Sequence, residues 1–360
     1  MTAVERARSG RLQPGLFTRF ALALLGALAL FLVLEGAANA LLAWADSREE
    51  VLTEAAHCVY DPDLGWSHGK GQRVADLYGP GEDLTVDALG FRGTVALGRR
   101  VPAGRVRLVC LGDSFTLGYG VGDESTYPAW LGRLDPRLQV VNMGQGGYGI
   151  DQCLLWYERD GAQLEADFLI LAFIAPDFER MTTDLFDGRF PKPLLEVSDG
   201  RLVLPSGPVP DGWARENRGR HLIRFGENLS IARLFRRWKS VRGRPPIPAD
   251  RPLAFEEVGE LALVKLLELS RERGQGFAAC MLPLRDRRAG QASRVASWMS
   301  TVAQRRGFPF LDLTSDFDAL PPGEGAALYA ADGHLNPWGN RFVAERLLER
   351  LAPYLPEPPR

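Results

Sequence analysis

The sequence predicts an α/β fold, a parallel sheet covered by helices on both faces, standing behind one N-terminal membrane helix. Three observations predict it. From residue 105 to residue 352, short apolar strand-like segments alternate with helical patterns, the signature of successive βαβ units. Ahead of them, residues 20–34 read FALALLGALALFLVL, an uninterrupted apolar run. The composition, 46% hydrophobic and 24% charged over 360 residues, is that of a globular chain long enough for one large domain or two ordinary ones. Lys+Arg number 43 and Asp+Glu 45, a net charge of −2, which disfavours nucleic-acid binding along the whole chain. The 39 glycines and 25 prolines follow no fixed period and no internal repeat is present, so they read as loops in a globular domain rather than as disorder or a fibre.

Arg6, Arg8, Arg11 and Arg19 precede the apolar run, and Asp46, Glu49 and Glu50 follow it. Residues 1–19 are therefore expected in the cytoplasm, and the bulk of the chain outside it. With Glu35 tolerated, the helix runs over residues 20–44, about 37 Å at the usual helical rise and enough to span a bilayer. A cleaved signal peptide is the alternative, because the apolar run fits its core and Ala38-Asn39-Ala40 its cleavage site. The apolar pattern resumes beyond that site at Leu41, Leu42 and Trp44, which favours an anchor.

Residues 45–104, rich in Gly and Asp, read as an extension packing on the domain that occupies residues 105–354. Arg105 to Leu111 is a short β-branched apolar run stopped by Gly112, hence a buried strand. Gln139 to Asn142, Asp167 to Ile174, Gly276 to Leu282 and Pro309 to Leu313 are four more strands. Helical patterns occupy residues 125–134, 150–164, 256–273, 290–306 and 337–352. Strands without alternation, separated by helices, belong to a parallel sheet buried on both faces. Residues 177–254 interrupt the alternation as an insertion at the sheet's rim, with a hairpin (Leu194 to Val197, turn Ser198-Asp199-Gly200, Arg201 to Leu204) and an arginine-rich stretch. Between Arg215 and Arg244 nine arginines and Lys239 accompany an apolar face that includes Leu222, Phe225, Leu234 and Trp238. This reads as a solvated helix face on the core, with a surface for anionic headgroups or acidic polysaccharide as the alternative.

Cys58, Cys110, Cys153 and Cys280 include no C-x-x-C pair, Cys110 and Cys280 fall in apolar strand runs, and no two of His57, His68, His221 and His334 stand at ligand spacing. No metal is expected. Ser114, in Leu111-Gly112-Asp113-Ser114-Phe115, lies just past the carboxyl edge of the first domain strand, where open α/β sheets bind ligands. Asn142-Met143-Gly144-Gln145-Gly146-Gly147-Tyr148-Gly149 is a glycine-rich turn that can aim backbone N–H groups at an anion, without the spacing of a dinucleotide fingerprint. Asp332-Gly333-His334, just before the last helix, sets a carboxylate two residues from an imidazole, and His334 is the natural general base.

At these residues the chain resembles the SGNH/GDSL hydrolase superfamily of esterases and acyltransferases, above all its membrane-anchored bacterial members. The resemblance extends from Tyr60-Asp61-Pro62, Leu64-Gly65-Trp66 and Gly90-Phe91-Arg92 to the last helix. It implies a three-layer α/β/α sandwich of flavodoxin-like type with a five-stranded parallel sheet, and no cofactor. Ser114 matches the family's nucleophile, Gly147 its oxyanion glycine, and Asp332 and His334 its acid and base. One block departs. Where the family places an oxyanion-hole Asn, this chain reads Phe173-Ile174-Ala175-Pro176-Asp177, and proline supplies neither an amide side chain nor an N–H. Asn142, Gln145 and Asn336 are the candidates to replace it. The expected function is acyl transfer from O-acyl, above all O-acetyl, esters of envelope or exported carbohydrate, in a periplasmic domain tethered to the bacterial cytoplasmic membrane. The alternative is a non-catalytic domain that binds polysaccharide or scaffolds an envelope complex.

Overall fold

The computed structural model describes residues 15–46, 56–94, 97–98, 100–187, 190–204, 207–211, 229–231, 254–285 and 289–357. The chain forms two compact units, residues 1–51 with 219–245 and residues 52–218 with 246–360. In the first, helix α1 (Leu16–Asp46) is longer than the expected 20–44 at both ends. Its segment Thr18–Leu41, with a mean hydropathy of 2.3, is long and apolar enough to cross a membrane. Glu35, the one acid inside it, accepts the backbone N–H groups of Ser230 and Ile231. Apart from residues 229–231, the arginine-rich stretch lies outside the described residues.

The second unit opens with a hairpin, β1 (Cys58–Asp61) and β2 (Gly65–His68), in antiparallel register from Cys58↔His68 to Asp61↔Gly65. The sheet strands and their helices then alternate as β3 (Val106–Gly112), α2 (Ser114–Leu117), α3 (Tyr127–Leu134), β4 (Leu138–Gly144), α4 (Ile150–Arg159), β5 (Phe168–Phe173) and α5 (Ala175–Arg180). A small hairpin of β6 (Glu196–Ser198) and β7 (Arg201–Val203) follows, then α6 (Glu256–Glu272), β8 (Gly276–Met281), α7 (Ala289–Arg306), β9 (Phe310–Asp312) and α8 (Pro337–Leu351). The five domain strands form one all-parallel sheet in the order β9-β8-β5-β3-β4. The chain starts inside the sheet at β3, steps outward to β4, and crosses back to β5, so a crevice opens between the carboxyl ends of β3 and β5.

The alternation of side chains along each strand divides the core in two. On one face Val109, Leu111, Leu169 and Leu171 pack with α4, α6 and α7; on the other Leu108, Cys110, Ile170 and Ala172 pack with α3 and α8. This is the three-layer α/β/α sandwich. Leu64, Trp66 and Phe91 from the N-terminal extension join the first layer, and the guanidinium of Arg92 is buried, donating to Asp123 and to the carbonyls of Leu117, Gly118 and Val121.

Most strand and helix ends differ from the sequence reading by a residue or so, and three differences have a clear local reason. Strand β4 runs two residues beyond Asn142, because Met143 and Gly144 continue the ladder against Leu111 and Gly112. Helix α4 stops at Arg159 and not 164: Gly161, pressed against Tyr157 and Met143, opens a separate 3₁₀ turn. In the small hairpin Ser198 is still paired with Arg201, leaving a two-residue turn of Asp199 and Gly200, both at positive φ as a type I′ turn requires.

Gly144 is the tightest point of the second unit, since a Cβ there would stand 1.9 Å from the backbone N of Leu117. Gly144→Ala must therefore push α2 off the sheet, and the expected loss is about 3 kcal/mol of unfolding free energy, in the upper range of overpacking substitutions. Denaturant titration of the detergent-solubilised chain checks it; a loss below about 1 kcal/mol would mean that α2 does not rest on this glycine.

Candidate active site

Ser114 is the first residue of α2, immediately after β3 turns at Asp113. Asp113, extended at φ −94° and ψ −152°, caps the turn by accepting the Phe115 N–H at 2.9 Å. Gly118, left-handed at φ 82°, closes it by donating to the Ser114 carbonyl. The helix is four residues long, so Ser114 is held by backbone geometry at the carboxyl edge of the sheet rather than by a long helix. The loop before α8 arrives from the far end of the domain. There the Asp332 carboxylate accepts the His334 backbone N–H at 3.0 Å and lies 3.1 Å from His334 Nδ1. His334 Nε2 lies 2.9 Å from Ser114 Oγ. Phe115 and Tyr119 hold the imidazole between them, with ring centroids 5.1 and 4.7 Å away. A neutral imidazole that donates Nδ1–H to a carboxylate presents a bare Nε2 to a hydroxyl, and can take its proton.

These three side chains line one cavity of about 470 Å³, with Pro176, Arg180, Leu282 and Pro283 among its other walls. The volume is that of a small-ligand site. A profile of the GDSL-like lipase/acylhydrolase family matches residues 110–342, which include Ser114, Asp332 and His334. The chain belongs to that family. No curated protein is similar enough in sequence to count as a relative. Among solved structures, a lipolytic protein of the G-D-S-L family from Desulfitobacterium hafniense is 14% identical with a TM-score of 0.41, covering 69% of this chain and 100% of that one. A lipase/acylhydrolase from Enterococcus faecalis is 13% identical with a TM-score of 0.42, covering 71% and 100%. A catalytic mutant of an acetylxylan esterase from Geobacillus stearothermophilus is 12% identical with a TM-score of 0.41, covering 72% and 99%.

The glycine-rich turn after β4 lies beside this site. Gly147 adopts φ +76°, and a Cβ there would meet the Phe186 ring at 2.7 Å. The N–H groups of Ser114 and Gly147 donate to no acceptor among the described residues. Gly147 itself does not line the cavity. At the family's Asn position Pro176 stands in the first turn of α5, where a missing N–H costs nothing. None of the three candidates to replace that Asn reaches the cavity. Asn142 is buried and bonds the Leu117 carbonyl and the Gly144 N–H, Gln145 is buried and donates to Cys58, and Asn336 caps α8 through the N–H groups of Trp338 and Gly339.

Arg180, which the sequence reading passed over, does reach it. Its Nη1 donates to Asp113 at 3.2 Å, to the Tyr148 carbonyl at 2.9 Å and to Asp177 at 2.5 Å, while its Nε and Nη2 donate to nothing among the described residues. Its Cζ is 5.4 Å from the centroid of Phe186, the same ring that packs on Gly147. The i,i+3 spacing of Asp177 and Arg180 was the only trace of this in the sequence; the contact with Asp113 depends on the fold. Burial, and after it the neighbouring Asp113 carboxylate, push Asp177 well above the usual carboxylate range, against the pull of Arg180.

Outside this cavity the only metal-ligand cluster among the described residues is His57, Cys58 and His68, which β1 and β2 bring together although their spacing in the chain gave no hint of it. Burial lowers His57 to about 3, helped by His68, and lowers His68 to about 4.

Arg180→Met leaves Asp113 and Asp177 facing each other without their shared cation, and an unpaired buried charge typically costs about 3–5 kcal/mol. The remaining strain is relieved by protonating Asp177, whose folded pKa is already raised. The folded variant then binds a proton that the unfolded chain does not hold at neutral pH, so its stability must rise as pH falls from about 8 to about 5. Unfolding midpoints of parent and variant across that range check the sign; a deficit that is constant or grows on acidification contradicts it.

Proposed function

We propose that this protein is a serine esterase that removes or transfers small acyl groups, above all acetyl groups, carried as O-esters on carbohydrate. The observation that carries the proposal is the chain of contacts from Asp332 through His334 to Ser114, with 3.1 Å and 2.9 Å links, opening into the cavity. Ser114 Oγ attacks the ester carbonyl as His334 takes its proton, and Asp332 holds the imidazole in the tautomer that leaves Nε2 free. The tetrahedral oxygen is held by the N–H groups of Ser114 and Gly147 and, in place of the amide that Pro176 lacks, by the unengaged N–H groups of Arg180. Collapse expels the alcohol, protonated by His334, and leaves an acyl-serine. Water then regenerates the enzyme and releases the acid, or a sugar hydroxyl accepts the acyl group.

The site of action follows from the N-terminal segment. With Arg6, Arg8, Arg11 and Arg19 ahead of the apolar helix, we infer a single-pass anchor with the catalytic domain on the periplasmic side. A tether there keeps the domain at the cell envelope, within reach of acylated polysaccharide. The cavity of about 470 Å³ supports a sugar residue with one acyl group rather than a long lipid chain.

A fluorophosphonate probe should label the detergent-solubilised chain once, at Ser114, and Ser114→Ala should abolish the adduct by intact mass. Ser114→Ala and His334→Ala should each lower acetyl-ester turnover by about a thousandfold or more, and the double variant scarcely further, because nucleophile and base act as a unit. An unlabelled parent with no turnover would leave the non-catalytic, polysaccharide-binding reading in possession.

Arg180→Lys keeps the charge between Asp113 and Asp177 but loses the planar fork. The expected outcome is kcat lower by about ten- to a hundredfold with KM little changed, below the full cost of losing an oxyanion donor because two backbone donors remain. Adding Pro176→Asn to that variant should recover part of the loss. A kcat that Arg180→Lys leaves unchanged removes Arg180 from the oxyanion hole.

A further inference from the structure

We propose that His57, Cys58 and His68 form a metal site for a borderline-soft divalent cation, zinc being the natural occupant, which clamps the N-terminal hairpin beneath the glycine-rich turn of the active site. The three ligand atoms lie within 4.8 Å of one another. His57 Nδ1 is 3.1 Å from His68 Nδ1 and 3.5 Å from Cys58 Sγ. Around a tetrahedral zinc with its usual bond lengths, two nitrogens stand about 3.3 Å apart and a nitrogen and a sulfur about 3.6 Å, so the two pairs that involve His57 are already at bonding separation and the third lies within 4.8 Å.

The hydrogen bonds around the cluster point the same way. His68 Nε2 lies 3.0 Å from the Gly144 carbonyl, which can only accept, so Nε2 carries the proton and Nδ1 is a bare lone pair. A second imidazole nitrogen faces that lone pair. If His57 donates to it from Nδ1, His57 Nε2 is left as a buried acceptor with no partner among the described residues; if it does not, two lone pairs meet at 3.1 Å. A cation between them removes the meeting of lone pairs, because each Nδ1 then points at the metal. Gln145 contributes the second independent sign. Its side chain is fully buried, Nε2 donates to Cys58 Sγ at 3.1 Å, as outer groups do to metal-bound thiolates, and Oε1 has no partner among the described residues. A buried amide thus sits against the cluster with one acceptor left over. Two imidazoles and a thiolate are the donor set that zinc prefers over calcium or magnesium. His57 and His68 are 1% and 2% exposed and Cys58 is partly buried, so the donors are largely withdrawn from bulk water.

The location gives the site its consequence. His68 holds the Gly144 carbonyl, Gln145 reaches Cys58, and Trp66 Nε1 donates to the Gly146 carbonyl at 3.0 Å. A cation at the cluster therefore fixes three successive residues of the turn that presents Gly147. Its role is structural, since neither histidine lines the cavity of Ser114.

The test uses the full chain in detergent, stripped with EDTA under reducing conditions and titrated with ZnCl₂ or CoCl₂ alone. One zinc per chain is expected by mass spectrometry. Cobalt should give the visible bands of a tetrahedral site together with a near-ultraviolet thiolate-to-cobalt transition. Cys58→Ala, a small truncation at a partly buried position, should lose that transition and weaken zinc binding at least a hundredfold; His68→Gln should abolish the stoichiometric site. Zinc should raise the thermal midpoint of Ser114→Ala by several degrees and leave that of Cys58→Ala unmoved. Because Ser114→Ala is inert in the proposed reaction, this readout is independent of the esterase reading. A folded parent that binds less than about a tenth of an equivalent, or whose cobalt spectrum is the same in Cys58→Ala, overturns the proposal.

Discussion

Two glycines at the ends of neighbouring strands let the chain bend sharply enough to present Ser114. A Cβ on Gly112 would stand 2.3 Å from the Ala172 carbonyl and 2.2 Å from Thr116 Oγ1, and one on Gly144 would stand 1.9 Å from the Leu117 nitrogen. With both absent, the four residues of α2 lie directly across the carboxyl ends of β4 and β5. The first residue of that turn is then over the crevice made by the strand order, the one place on an open parallel sheet where a ligand meets strand ends from both sides. Everything else near the site adjusts to this close approach. The imidazole comes to the serine on a loop from the end of the chain, and the glycine-rich turn comes from the strand next door.

A turn this short has few hydrogen bonds of its own, and buried cations supply the rest. Arg92 collects the carbonyls of Leu117, Gly118 and Val121, at and just past the end of the four-residue helix, and pairs with Asp123 at 2.9 Å. Arg180 does the same on the other side, joining Asp113, Asp177 and the Tyr148 carbonyl. Arg92 is fully buried and Arg180 is about a fifth exposed at the cavity wall; each is held because it meets several acceptors at once. The cost of burying these charges is offset by a site whose backbone geometry is over-determined from both ends.

The sheet could be read from the sequence because strands buried on both faces appear as plain apolar runs, such as Asp167 to Ile174, bounded by helices of strong periodicity. Ser114 and the Asp332-His334 pair were readable because each sits in a short local pattern. What escaped was long-range. Arg180 meets Asp113 across 67 positions, and nothing in Asp177-Phe178-Glu179-Arg180 says which way the guanidinium turns. His57 and His68 are 11 residues apart, a separation with no ligand signature until β1 and β2 pair Cys58 with His68. Gly161 ended α4 early for the same reason, since the side chains that crowd it, Tyr157 and Met143, include one from a different strand.

The proline at position 176 then has a coherent physical place. At the start of α5 its fixed φ suits the first helical turn, and the helix has no use for its N–H. The adjacent Asp177 keeps two tasks, accepting the Ile174 N–H at 2.9 Å and pairing with Arg180 one turn later. An amide at position 176 would offer one neutral donor from a side chain needing its own support. In the proposed mechanism the guanidinium offers charged donors from a group already locked by three acceptors, with Nη2 and Nε unengaged among the described residues. A fixed cation stabilises a developing oxyanion more than a neutral amide does, but it also attracts ground-state anions, including the acid product. On the proposed role of Arg180, the exchange shifts the burden from binding the oxyanion to releasing the product, and the exposure of Asp332 to water is suited to that release.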